Sequence, residues 1–127
     1  MSVILGLNAF HAGASAALLI DGQPVAAIAE ERLNRVKYYA GFPTLAIRRC
    51  LEMAGMKSSG IEHVALGRNP SSNRVKKVEY VLTHPKKLFN LLKIRAARGK
   101  LNDPRTLVAQ ACEVDPAKLR FQMHNVE

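Results

Sequence analysis

The sequence predicts a mixed α/β domain that opens with the order β-β-β-α-β and then makes a helical excursion. Three observations predict it. Two short apolar runs, Val3–Leu7 and Ala14–Ile20, flank a turn of small and polar residues. Asp21-Gly22 follows as a hairpin signal, because both residues tolerate positive φ. The stretch from Thr44 to Ala54 then places Ile47, Cys50, Leu51 and Ala54 on one helical face.

Val3–Leu7 reads as a buried strand, and Asn8-Ala9-Phe10-His11-Ala12-Gly13 as the turn after it. Ala14–Ile20 is the second strand. Pro24 permits the start of a third, from Val25 to about Ala29. Three strands with tight connections form an antiparallel meander. That order is unlike a dinucleotide-binding entry, where a helix follows the first strand. Glu30 to Tyr39 is a charged stretch stopped by Gly41-Phe42-Pro43. The helix Thr44–Ala54 comes next, with Gly55 placed to end it. Ile61–Leu66 reads as a fourth strand.

Residues 70–118 read as helical and basic. Val78, Tyr80, Val81 and Leu82 belong to a first helix. Pro85 starts a second, carrying Leu88, Leu91, Leu92 and Ile94. Asp103-Pro104 and Asp115-Pro116 each combine a capping acid with a proline, and so begin two more. Leu119–Met123 reads as a fifth strand just before Glu127. A strand that has barely begun suggests an unfinished sheet. Residues 1–127 are therefore expected to be the incomplete amino-terminal part of a larger enzyme, with 70–118 as a helical insertion. Such a piece is expected to be marginally stable and inactive by itself.

The chain has 127 residues, enough for at most one domain. Its formal net charge of +9 favours anionic partners. The excess is concentrated between Arg68 and Arg105, where eleven basic residues face only Glu79 and Asp103. Nucleic acid would be one reading of that segment. Sparse aromatic residues and the lack of a nucleic-acid signature argue against it, and the pattern reads instead as a solvated helical face or as a surface that docks on an acidic domain of the remainder of the enzyme. Residues 1–20 lack a basic start and a cleavage site, and no apolar run is long enough to span a membrane, so a cytoplasmic protein is expected. Cys50 and Cys112 have no metal-type spacing and read as reduced, packed thiols. His63, His84 and His124 are isolated in sequence, and a metal site needs converging ligands.

Two segments could carry chemistry. The small residues between Asn8 and Ser15 would let backbone N–H groups approach a phosphate, with His11 as an adjustable donor or acid. Arg35 and Lys37 could point back over that turn as an anion clamp. Each segment also has a plain reading, as a tight hairpin and as a solvated loop.

Together the first 55 residues resemble the O-carbamoyltransferase family, which includes nodulation-factor and antibiotic-tailoring enzymes. The resemblance rests on Ile4-Leu5-Gly6-Leu7-Asn8 leading to His11, then Ser15 to Gly22, then Ala26 to Lys37, Phe42-Pro43, Ala46-Ile47, Cys50-Leu51 and Gly55. It implies a partial domain of the sugar-kinase, heat-shock ATPase and actin type, whose first turn faces phosphate. It implies that ATP and carbamoyl phosphate form carbamoyl adenylate, and that the carbamoyl group passes to a hydroxyl of a sugar or other natural product. It places His11 and Lys37 where the family contacts carbamoyl phosphate, as catalytic and substrate-binding residues, with Arg35 as a further substrate contact. Iron and ATP are implied cofactors, with ligands beyond Glu127. The remainder of the enzyme and the hydroxyl-bearing acceptor are the implied partners. A small-molecule kinase or a tRNA-threonylcarbamoylation protein on the same fold, or a basic nucleic-acid-binding module, are the alternatives.

Overall fold

A strand forms where apolar residues alternate over a few positions, and Val3–Asn8 does so. Val3, Leu5 and Leu7 are buried, while Ile4, Gly6 and Asn8 are half-buried on the other face. This strand, β1, pairs antiparallel with β2 (Ser15–Ile20), which pairs antiparallel with β3 (Gln23–Ala29). The expected meander is present. Asp21 and Gly22 make its second turn with φ of 51° and 78°, and the Asp21 carboxylate accepts from the Ser2 amide. Pro24 lies on edge strand β3, where its missing N–H costs no interior ladder bond.

The computed structural model describes residues 1–67, 74–87 and 103–126. Beyond β3 a short helix, α1 (Glu31–Asn34), was hidden in the charged stretch. Helix α2 (Thr44–Ala54) has the expected bounds and ends on Gly55 in the left-handed conformation. It carries the chain across the sheet, so that β4 (His63–Leu66) pairs parallel with β1. Ile61 was expected inside this strand. It is buried, but it ends the 3-10 turn Ser58–Gly60, and the ladder begins only at His63.

Two compact units are present, Met1–Asn69 with Pro104–Glu127, and Pro70–Asp103. In the first, helix α4 (Pro104–Ala111) packs against α2, and α2 lies over β2 and β3. One continuous core joins Leu5, Leu18 and Val64 of the sheet to Ile47, Cys50 and Val108 of the helices. Removing any one large member of such a core costs about 2–5 kcal/mol. Arg48 reaches from α2 to the carbonyl of Ala111 and to the Glu113 carboxylate. The fifth strand, β5 (Gln122–Asn125), pairs parallel with β4 and completes the order β3-β2-β1-β4-β5. It begins later than expected. Leu119 and Phe121 are buried, but their carbonyls accept from the Arg105 guanidinium, which also covers the Phe121 ring.

In the second unit, α3 (Arg74–Thr83) is helical as expected. Its Tyr80 ring stacks on His84 and accepts a hydrogen bond from Lys87 at its hydroxyl. Val78, Tyr80 and Leu82 are exposed. Of the second expected helix, residues 85–87 are helical from Pro85 on as expected, while Leu88, Leu91, Leu92 and Ile94 lie outside the described residues. No helix among the described residues is long and apolar enough to cross a membrane.

Candidate functional site

The turn between β1 and β2 closes on itself through the Asn8 side-chain amide, which donates to the Gly13 carbonyl at 3.0 Å. Gly13 takes φ of 82°, a conformation natural to glycine, and a side chain there would meet open space. Ala9 and Ala14 anchor the two ends of the turn in the core, leaving His11 and Ala12 exposed at the tip.

The segment from Arg35 to Phe42 runs alongside this turn. Phe10 donates its amide to the Gly41 carbonyl at 3.1 Å, and Ala14 donates to the Tyr39 carbonyl at 3.0 Å. Backbone bonds therefore hold together the two segments that sequence had singled out separately. Phe42 is buried and its ring lies 6.1 Å from that of Phe10. The Tyr39 hydroxyl would stand only 2.3 Å from a Cβ on Gly41, so glycine is what lets that ring lie across the chain.

Strain concentrates here. Phe10, Arg35 and Tyr38 have φ of 62°, 62° and 55°. Each such placement of a side-chain-bearing residue costs about 1–2 kcal/mol, and it persists where surrounding bonds enforce it. Several do. Arg35 donates its amide to the Glu31 carbonyl, Tyr38 to the Glu31 carboxylate, and Val36 to the Asn34 side chain. The side chains of His11, Arg35 and Lys37 are exposed and make no hydrogen bond or ion pair among the described residues. The loop backbone is fixed while its cationic and protonatable groups stay available.

Sequence reasoning missed Glu30. It is buried, with 3% of its surface exposed. One carboxylate oxygen accepts from Leu45 N at 3.1 Å, and the other from Ala46 N at 2.7 Å. These are unpaired amides of the first turn of α2, where Pro43 contributes no side-chain cap. The negative charge also faces the positive end of the helix dipole. Through its own N–H, Glu30 binds the Ala14 carbonyl at 2.8 Å. A single residue thus ties the first turn to α2. The signal in the sequence was a helix start with no capping residue of its own.

Beside the turn, the sheet face turned away from the core is covered by small side chains. Gly6, Asn8, Ser15, Ala17, Ala27 and Ala29 line an open groove of about 440 Å³. Asn8 and Ser15 join it to the turn. Cys50 is a buried free thiol and Cys112 a half-buried one. Burial raises both above the usual thiol value, an effect partly offset at Cys112 by Ser58 and Arg48. Among the described residues no three His, Cys, Asp or Glu side chains gather to hold a metal ion.

A family model described as "Carbamoyltransferase N-terminus" matches residues 3–107. The nodulation protein NolNO of Sinorhizobium fredii is 31% identical over 128 residues, an alignment that covers 94% of this chain and 17% of that protein. The uncharacterized protein sll1178 of Synechocystis is 40% identical over 70 residues, which are 55% of this chain and 11% of that protein. The chain thus spans less than a fifth of either relative's length. Among solved structures, YeaZ from Pseudomonas aeruginosa is similar with a TM-score of 0.45 and 19% identity, over 98% of this chain and 44% of that one.

Proposed function

The chain belongs to the carbamoyltransferase N-terminal family, and on that footing we propose that it supplies the phosphate-binding front of an ATP-dependent O-carbamoyltransferase. In the proposed reaction, water cleaves carbamoyl phosphate to carbamate and phosphate, and the carbamate oxygen attacks the α-phosphorus of ATP to form carbamoyl adenylate as pyrophosphate leaves. The carbamoyl group then passes to a hydroxyl of a sugar or another natural product, and AMP leaves. Of the readings left open by the sequence, this is the one that the matching family supports.

The observation that carries the proposal is the backbone pairing of the two strained loops, with His11, Arg35 and Lys37 left exposed and unpartnered among the described residues. Carbamoyl phosphate is a small dianion that decomposes readily in water. Its site must offer cations and N–H groups while limiting solvent. Lys37 supplies a point charge to the phosphate. Arg35 adds a planar donor pair. His11 donates a hydrogen bond to a phosphate oxygen, or gives it a proton as the carbamoyl group departs. Glu30 holds the geometry without touching substrate. The groove over Gly6, Ala17 and Ala27 leaves room beside the turn for the rest of a bound substrate.

ATP and iron are proposed to be held through residues that follow Glu127, and no step is assigned to iron. ATP and carbamoyl phosphate are both cytoplasmic metabolites, so the enzyme is proposed to act in the cytoplasm. The test is calorimetric titration of the chain with fresh carbamoyl phosphate at low temperature. Saturable binding is expected, and loss of a charge-assisted hydrogen bond, about 1.5–3 kcal/mol, should weaken it by about tenfold or more in Lys37→Ala. Equal binding by wild type and by both Lys37→Ala and His11→Ala would remove this site from the proposal.

A further inference from the structure

Away from the two loops, the parallel pairing of β4 and β5 brings together two histidines 61 positions apart in sequence. The Nδ1 of His63 lies 3.2 Å from the Nε2 of His124. The register pairs His63 with Gln122 and Ala65 with His124, so the two rings meet on a diagonal between neighbouring strands. They stand on the sheet face opposite the buried Val64 and Leu66. Their ring centroids are 5.3 Å apart, and the planes are inclined at 49°. His63 is half-buried and His124 is exposed. Among the described residues each ring has only the other as its hydrogen-bonding partner.

Two neutral imidazoles at this distance share one proton, with one nitrogen donating and the other accepting. The same two nitrogens suit a shared metal ion. With metal–nitrogen distances of about 2.0–2.1 Å in tetrahedral geometry, two ligand nitrogens stand about 3.3 Å apart. The observed separation needs almost no adjustment. Imidazole prefers ions of the zinc, copper and nickel class over magnesium or calcium. We propose that His63 and His124 form a two-histidine site for a divalent transition metal ion, which binds Nδ1 of the first and Nε2 of the second. Water completes the coordination, because no third His, Cys, Asp or Glu joins the pair among the described residues. Binding requires one ring to change tautomer and no net loss of a proton when both are neutral. Because β5 is an edge strand of only four residues, the ion acts as a clip holding β5 to β4.

The site is tested by calorimetric titration of the chain with zinc chloride, and with copper(II) under electron paramagnetic resonance. Saturable one-to-one zinc binding is expected, with hyperfine structure from two nitrogens in the copper spectrum of the unaltered chain. Amide exchange across Gln122–Asn125 should slow when zinc is present. His63→Gln and His124→Gln, each checked for folding by circular dichroism, should each weaken zinc by about tenfold or more, at least the loss typical of an outer-shell change. His84→Gln should leave it unaltered. No saturable zinc binding, a copper spectrum with one nitrogen, or binding lost in Cys112→Ser but kept in both histidine variants would overturn the proposal.

Discussion

Glu30→Gln removes a charge and little volume, and so isolates what the buried carboxylate contributes. The carboxylate accepts from two first-turn amides of α2, at 3.1 and 2.7 Å, with 3% of the residue exposed. Glutamine keeps one acceptor oxygen but turns an NH2 donor toward the other amide. One hydrogen bond to a charged group is therefore lost, a cost of about 1.5–3 kcal/mol. The favourable interaction with the helix dipole, up to about 2 kcal/mol when partly buried, is lost with it, and the two terms overlap. A total near 2–3 kcal/mol is expected. Glu30→Ala leaves both amides without the carboxylate and should cost about 2–5 kcal/mol. Urea unfolding of the chain, followed by circular dichroism, measures both. The bond to the Ala14 carbonyl comes from the backbone N–H of residue 30, which glutamine keeps, so carbamoyl phosphate binding should be retained in the Gln variant well below its unfolding midpoint. A Gln variant within about 0.5 kcal/mol of wild type, the range of an ordinary surface substitution, would refute the capping argument.

Gly13→Ala should destabilise the chain by about 1–2 kcal/mol through its positive φ alone, since a Cβ there meets nothing within 4 Å; an unchanged urea midpoint would contradict this. Gly41→Ala should drive the Tyr39 ring from its place, seen as a shift in tyrosine fluorescence and as weaker carbamoyl phosphate binding; an unchanged spectrum and affinity would contradict the packing. Arg48 and Glu113 form an ion pair between partly exposed side chains, so Glu113→Gln should cost at most about 1 kcal/mol by urea unfolding. The raised thiols of Cys50 and Cys112 bind their protons more tightly in the folded chain. Their contribution is complete below the unfolded thiol value and is lost as pH rises through the folded one. Stability should therefore fall on the alkaline side, less steeply in Cys50→Ala, and alkaline unfolding curves test this.

Much of the sheet was legible because alternation and turn chemistry are local. Val3, Leu5 and Leu7 announce β1, Asp21-Gly22 the turn from β2 to β3, and Gly55 the end of α2. The late start of β4 and of β5 was not legible, for a common reason. Ile61, Leu119 and Phe121 are apolar because they are buried, and burial does not require pairing. The site was legible only in parts. His11, Arg35 and Lys37 could be named, but the bonds that join their loops use the carbonyls of Tyr39 and Gly41, which no residue type encodes. Glu30 looked like one charge among many, because its partners lie fifteen and sixteen residues away on the backbone of a later helix. The approach of His63 to His124 depends on a parallel register that neither segment reveals alone.

Pyrophosphate release from ATP, followed with and without carbamoyl phosphate in an enzyme that carries this chain as its amino-terminal segment, tests the proposed function most directly. Release should depend on carbamoyl phosphate and be lost in Lys37→Ala and in His11→Ala. Folded, iron-supplied enzyme that releases no pyrophosphate, or that releases it equally in both variants, would contradict the assignment of these loops to carbamoyl phosphate.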